Sequence, residues 1–319
     1  MNMPAVSHAA VERATWLICV VATLFAGFLL WRFQIAVEHR SLIAALALLL
    51  APAGIYIVYG SWRPEPVLRN IGGALLAVIW SGAAAGIISL IGLRYKAPLI
   101  DTQLAELDRA VGLNVASFVE WSAAHPFWPQ LFSTAYDSSF VILCALVIFL
   151  SVSHRFDKLW QLALVFAITI VTSTAISVVW PAKGAFTYFD YSTDILNRLP
   201  TGSGLYHLPK FNYFRDDPAP VLSFASLQGV VTFPSFHCCL ALMTIFATRG
   251  IRWLFPASLV WNLLVIISTI PIGGHYVIDL LAGALVWLAA TIIAVRLTAT
   301  KTASWPTVEN ISPVRRVSV

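Results

Sequence analysis

Long apolar runs alternate along this chain with short polar or basic turns. The runs cover residues 16–31, 42–59, 71–93, 138–152, 159–180, 233–247, 253–271 and 276–295. A helix rises about 1.5 Å per residue, and a hydrocarbon core takes roughly 20 apolar residues to cross. Within lipid the backbone has no water to bond, so such runs fold as helices. The pattern therefore predicts an all-α, polytopic membrane bundle of about eight transmembrane helices. The first run could be mistaken for a signal peptide, but it lacks a clear small-residue cleavage site and a second span follows it.

Two stretches break the rhythm. Residues 94–129 are less hydrophobic. There Asp101 reads as a helix cap and Gly112 as a stop. Leu104, Leu107 and Val111 recur at helical spacing, with Glu106, Asp108 and Arg109 on other faces. This predicts an amphipathic helix at the membrane interface. Asp137 reads as the cap of the fourth span. Residues 181–229 form the longest polar segment, with Lys183, Arg198, Lys210 and Arg215 beside Asp190, Asp194, Asp216 and Asp217. Its aromatic residues, among them Phe186, Tyr188, Phe211 and Phe214, argue for order. The expected organisation is two N-terminal membrane helices in 1–70, a membrane domain in 71–296, and a flexible cytoplasmic tail in 297–319. No internal repeat is visible.

Composition agrees. The chain is 59% hydrophobic and 11% charged, against about 25% charged in soluble domains, which excludes a single soluble core. Cys19, Cys144, Cys238 and Cys239 all lie in apolar runs without metal or redox spacing, and read as packing residues. The net charge of +5 sits in turns between spans, where it sets topology; no nucleic-acid partner is expected. Arg13, Arg63, Arg69, Arg155, Lys158, Arg249, Arg252 and Arg296 fall on the side of the termini, faced by few acids. The positive-inside rule then makes both termini cytoplasmic.

The chemistry concentrates in 231–279. This stretch opens with Pro234-Ser235-Phe236-His237 and closes with Gly273-Gly274-His275-Tyr276-Val277-Ile278-Asp279. The two apolar runs between form a hairpin, so His237 and His275 reach the same, outer face of the membrane. Ionisable residues at membrane depth are functional candidates. His275 and Asp279, at i and i+4, share a helical face, which lets the carboxylate fix the imidazole tautomer. His275 can attack phosphorus, and His237 can give and take the proton of the leaving and entering oxygens. Backbone N–H groups near Ser235 and Gly274 lie at helix starts, where anions are favoured.

Pro-Ser-x-His followed by His-x-x-x-Asp, each opening a membrane helix, resembles the type 2 phosphatidic acid phosphatase superfamily. The resemblance covers roughly 71–295, a six-helix core, and matches Pro234, Ser235, His237, Ser268, His275 and Asp279. Two expected arginines are absent. Thr269 stands where the third motif has one, and Asp190, followed by Tyr191, stands where the first motif has Arg-Pro after Lys183. These departures resemble the divergent branch that includes inositol phosphorylceramide synthases and many bacterial membrane proteins. The resemblance implies a phosphohistidine mechanism without metal or cofactor, acting on a phospholipid or polyprenyl phosphate at the outer leaflet. It implies a multi-pass protein of a cell membrane, a bacterial inner membrane with the site facing the periplasm or exterior. Lys183 and Arg215 are the expected replacements for the phosphate-binding arginines, with Arg198 and Lys210 as further cations of the same loop. The competing readings are a transporter using the His/Asp cluster as a relay and an inactive scaffold.

Overall fold

The computed structural model describes residues 8–299; most of the expected tail, 300–319, lies outside the described residues. The helices are α1 (Ala9–Arg32), α2 (His39–Ile57), α3 (Pro66–Gly92), α4 (Asp101–Ala110), α5 (Val115–Ala124), α6 (Phe127–Val152), α7 (Phe156–Val179), α8 (Ala185–Phe189), α9 (Thr193–Arg198), α10 (Leu208–Asp216), α11 (Phe236–Thr248), α12 (Leu254–Ser268) and α13 (Val277–Ala299). Among the described residues, six are long and apolar enough to cross a membrane: α1, α2 with its extension to Trp62, α3, α6, α7 and α13. The hairpin helices α11 and α12 have only 13 and 15 residues, about 20 and 22 Å of rise. They fall short of a hydrocarbon core about 30 Å thick.

Helices α3 and α7 form the centre. The face of α3 that carries Gly72, Gly73, Ala74, Ala77, Ala84 and Ala85 is buried, and small residues let membrane helices approach closely. Val78 of α3 joins Leu159, Trp160 and Phe166 of α7, Leu150 of α6 and Val11 of α1 in one apolar cluster. The one polar atom of the buried Trp160 ring finds a partner, because its Nε1 donates to Asn70 Oδ1 at 2.6 Å.

Contacts at the two ends fix the alternation of the helices. At one end Arg69 pairs with Glu12 at 2.6 Å, and Tyr56 donates to the same carboxylate. Lys158 there donates to the carbonyls of Ala247 and Arg249. This joins the starts of α1, α3 and α7 to the ends of α2 and α11. At the other end a two-residue parallel pairing sets β1 (Ala36–Val37) against β2 (Val221–Leu222), and Ser223 donates to Glu38 at 2.6 Å. The polar segment 181–229 and the α1–α2 turn therefore share one end of the bundle.

Two sequence expectations change here. The fourth span starts at Phe127, so Asp137 lies inside α6 and caps nothing; its Oδ2 accepts from Ser133 Oγ at 3.1 Å. Gln130, Thr134 and Asp137 are exposed while Phe132, Ala135, Tyr136 and Ser139 are buried, so the first turns of α6 are amphipathic and their polar half hides the helix from a hydrophobicity count. In α4, Leu107 and Val111 of the expected apolar face are 50% and 61% exposed, whereas Leu104, Ala105 and Asp108 are buried. Asp108 belongs to the inward face because it has a structural partner there.

Candidate active site

The starts of α11 and α13 are tied together before any functional side chain is considered. Ser235 is the N-cap of α11, and its own N–H donates to the Asp279 carbonyl at 3.0 Å. His237 sits in the first turn of α11, with its ring stacked on Tyr136 of α6 at 4.0 Å between centroids. His275 lies in the link from α12 to α13. Its Nδ1 is 3.1 Å from Asp279 Oδ2, and its Nε2 is 3.3 Å from Ser235 Oγ. The same Asp279 oxygen accepts the Tyr276 N–H at 3.0 Å. Because Oδ2 accepts the Tyr276 N–H, it acts as an acceptor toward the imidazole too, so Nδ1 carries the hydrogen and the Nε2 lone pair faces the Ser235 hydroxyl. Asp279 is 0% exposed, with Oδ2 shared by the imidazole and the Tyr276 N–H and Oδ1 without a partner.

Both histidines line one cavity of about 160 Å³, together with Tyr136, Tyr206, His207 and Gly273. The hydroxyls of Tyr136 and Tyr206 are 2.7 Å apart, so the two rings form a joined aromatic wall beside His237.

Two carboxylates of α4 hold this assembly from outside. Asp108 accepts the N–H groups of Val277 and Ile278 at 2.9 and 2.8 Å, capping α13 from another helix. Asp101, one heptad earlier on the same face, accepts from the N–H groups of Lys183 and Gly184 and from the Tyr276 hydroxyl. The polar segment is locked to the same place by glycine. Gly274 has φ +76°, and a Cβ there would lie 2.8 Å from the Gly204 backbone, a contact that no other residue type can make without displacement. Removing Asp108 should therefore disturb the site without touching it. Asp108→Ala removes the acceptor of two partly buried N–H groups at the start of α13, about 0.5–2 kcal/mol for a lost helix cap, while Asp108→Asn keeps an acceptor. The expected order of melting temperature and of rate is wild type, then Asn, then Ala; an Ala variant with wild-type melting and rate would remove the cap from the account.

A model of the PAP2 superfamily matches residues 102–293. The chain belongs to the PAP2 superfamily. The match runs from the first turn of α4 into α13, so it takes in Asp108, all three cavity histidines and Asp279. It leaves α1, α2 and α3 outside, whereas the sequence motifs suggested a six-helix core beginning at 71. No curated protein and no solved structure matches the chain.

Of the residues singled out in the sequence, the PAP2 fold brings His237, His275, Asp279 and Ser235 together, with Gly274 in the adjoining turn. It does not bring the two proposed cations to the cavity wall. Arg215 Nη2 donates to the Ala97 carbonyl at 2.9 Å, and Arg215 packs by Phe211. Lys183 contributes its backbone, through its N–H to Asp101 and its carbonyl to His207. No lysine or arginine among the described residues lines the cavity. The two PAP2 positions that lack arginine give no substitute. Thr269 is buried with its hydroxyl bonded to the Ile266 carbonyl, and Asp190 is exposed at the end of α8. Sequence reasoning missed His207, Tyr136, Tyr206 and the capping role of Asp108. Only the aromatic density of 181–229 hinted that this segment was built into the site.

Proposed function

We propose that this PAP2 protein is a membrane enzyme that moves a phosphoryl or phosphoryl-headgroup moiety from a lipid phosphate ester to an acceptor hydroxyl, through a phosphohistidine on His275. The observation that carries the reading is the line Asp279–His275–Ser235 ending at a cavity that also contains His237. Asp279 holds Nδ1–H, so Nε2 is the nucleophilic atom. Ser235 hydroxyl occupies that lone pair at rest and can turn to a phosphoryl oxygen when phosphorus arrives. Attack by Nε2 forms the N–P bond and breaks the P–O bond to the lipid. His237 gives its proton to the departing oxygen, then takes one from water or an entering alcohol, whose oxygen displaces His275. Water and a lipid hydroxyl compete for the same intermediate, so hydrolase and transferase activity differ only in the acceptor. The altered first and third motifs support an inositol phosphorylceramide synthase-like branch, in which the acceptor is a second lipid. The substrate class is a phospholipid or polyprenyl phosphate drawn from the bilayer around the short α11–α12 hairpin.

The test is to incubate purified protein with a lipid phosphate panel, with and without hydroxyl acceptors and chelator, following free phosphate and new lipid species together. Turnover that survives chelator and shifts from phosphate release to lipid product with acceptor is expected. No turnover of any phosphate ester would overturn the reading.

The side of the membrane is a separate prediction. The excess of arginine and lysine at the end that holds Arg69, Lys158 and Arg249 supports a cytoplasmic placement there, which sets the histidines at the periplasmic or outer face of a bacterial inner membrane. Thr201 and Arg252 are both exposed, at opposite ends. Thr201→Cys should react with an impermeant thiol reagent in intact cells and Arg252→Cys only after lysis; the reverse pattern would invert the topology.

A further inference from the structure

The site as built must accept a phosphate anion without a lysine or arginine in its wall. A phosphoryl group brings one or two negative charges into a partly enclosed cavity, where an uncompensated charge is disfavoured. The cations that the sequence offered lie outside the cavity lining: Arg215 donates through Nη2 to the Ala97 carbonyl while its Nη1 is buried without a partner, Lys210 donates to the Ser226 carbonyl, and Arg198 pairs with Asp194 at 2.8 Å on the exposed α9. His207 alone among the loop's basic residues lines the cavity, and it is 6% exposed.

Resting on the phosphoryl-transfer reading, we propose that His207 is a phosphate-binding residue that takes up a proton when the phosphoryl group enters and donates it as a hydrogen bond from Nδ1 to a phosphoryl oxygen. It would stand in for the fixed arginines that positions 190 and 269 lack.

The geometry assigns the two ring nitrogens different tasks. Nε2 is 2.8 Å from the Lys183 carbonyl. A carbonyl only accepts, so Nε2 carries hydrogen in both protonation states and anchors the ring. Nδ1 is then the nitrogen that can change: a lone pair when the site is empty, an N–H donor when the ring is charged. The groups around the ring suit a switch rather than a permanent charge. His275 stands on the cavity side and Asp101 behind, the latter already spent on the N–H groups of Lys183 and Gly184. Tyr206 meets the ring edge-on at 5.5 Å, with Tyr136 bonded to its hydroxyl and His237 across the same cavity. Burial lowers the His207 imidazole below its ordinary value and the neighbouring His275 adds to this, against the Lys183 carbonyl and Asp101, which favour the charged form. The ring is thus neutral near neutrality in the empty site. An anion beside it reverses the balance, because an opposite charge within about 4–6 Å favours the imidazolium. The proton comes from solvent and returns there when phosphate leaves, so no covalent change is involved. The other two histidines have different duties: His275 carries the phosphoryl group, and His237 shuttles the proton of the ester oxygen.

The proposal is tested by counting protons. Tungstate, an oxyanion that stays dianionic near and above neutrality, is titrated into the detergent-purified full chain by calorimetry in buffers of differing ionisation enthalpy. Wild type should take up protons on binding, and its apparent Kd should weaken by about tenfold for each pH unit raised above neutrality for the proton His207 supplies. His207→Gln keeps an N–H for the Lys183 carbonyl but cannot titrate. It should take up one proton fewer, bind tungstate at least tenfold more weakly near neutrality, and show a correspondingly flatter pH profile. A merely structural role would leave the proton count unchanged. Equal proton uptake in the two proteins would overturn the proposal, and so would wild type that binds tungstate with no proton uptake, whether or not the variant folds. If wild type turns over lipid phosphates yet shows either of these results, His207 is rejected and the functional reading stands. If wild type neither binds tungstate nor turns over any phosphate ester, both fall.

Discussion

Replacing His275 with alanine is expected to abolish turnover, by roughly 10⁴-fold or more, since no other side chain in the site has an oriented lone pair free of other duty. The Nε2 atom is aimed by two contacts, Asp279 on the far nitrogen and Ser235 on the near one, and alanine removes the nucleophile while leaving its supports. His237→Ala should also be severe, by about 10²–10⁴-fold for a natural lipid ester, where the departing alkoxide needs a proton. The two variants separate on a substrate with a good leaving group, such as an aryl phosphate. There His237→Ala should recover much of the rate of the first half-reaction, while His275→Ala should recover none. Near-normal activity of His275→Ala on the lipid would remove the covalent route.

Asp279→Asn is the second large effect. The carboxylate oxygen Oδ2 accepts from both the Tyr276 N–H and His275 Nδ1–H, while Oδ1 is buried with no hydrogen-bond partner. An asparagine faces two poor choices. With its oxygen toward Nδ1, its NH₂ group fills the unpartnered position, leaving buried donors unsatisfied. With its NH₂ group toward Nδ1, the imidazole must present the lone pair there and carry hydrogen on Nε2, the tautomer that cannot attack. Either way the imidazolium-like charge that forms during transfer loses its counter-charge. A loss of about 10²–10⁴-fold in kcat, with little change in KM, is expected. Steady-state kinetics with a circular-dichroism melt check this: a rate within a few-fold of wild type would mean that Asp279 only cements the helix starts.

How much of this could be read beforehand varies by the range of the interactions. Six spans were legible because a membrane-crossing helix needs a long apolar run, whereas α11 and α12, also read as crossings, are shorter helices; His237, His275 and Asp279 were legible because their spacing is local. The start of α6 was hidden because its first turns put Gln130, Thr134 and Asp137 on one side and Phe132 and Tyr136 on the other; an average over the window cancels them. Asp108 looked like a solvent charge because its partners, the N–H groups of Val277 and Ile278, lie 169 and 170 residues away, and no periodicity reports such a cap. Arg215 was expected at the phosphate because a phosphate needs a cation and the loop can reach. A guanidinium has five N–H donors to satisfy, however, and in the folded loop the Ala97 carbonyl takes one of them. His207 carried no motif, since its placement depends on the Gly204–Gly274 backbone contact and on the carbonyl of Lys183.

The central claim is that His275 becomes phosphorylated, and the direct measurement is to find the phosphate. Protein turning over a phosphate-labelled lipid substrate would be quenched in alkali, because the N–P bond of phosphohistidine is labile to acid, then digested and mapped by mass spectrometry. The account predicts label on the peptide that contains His275, more of it when the acceptor is withheld, and none in His275→Ala. Turnover with no labelled protein, or label on His237 or another residue, would contradict it.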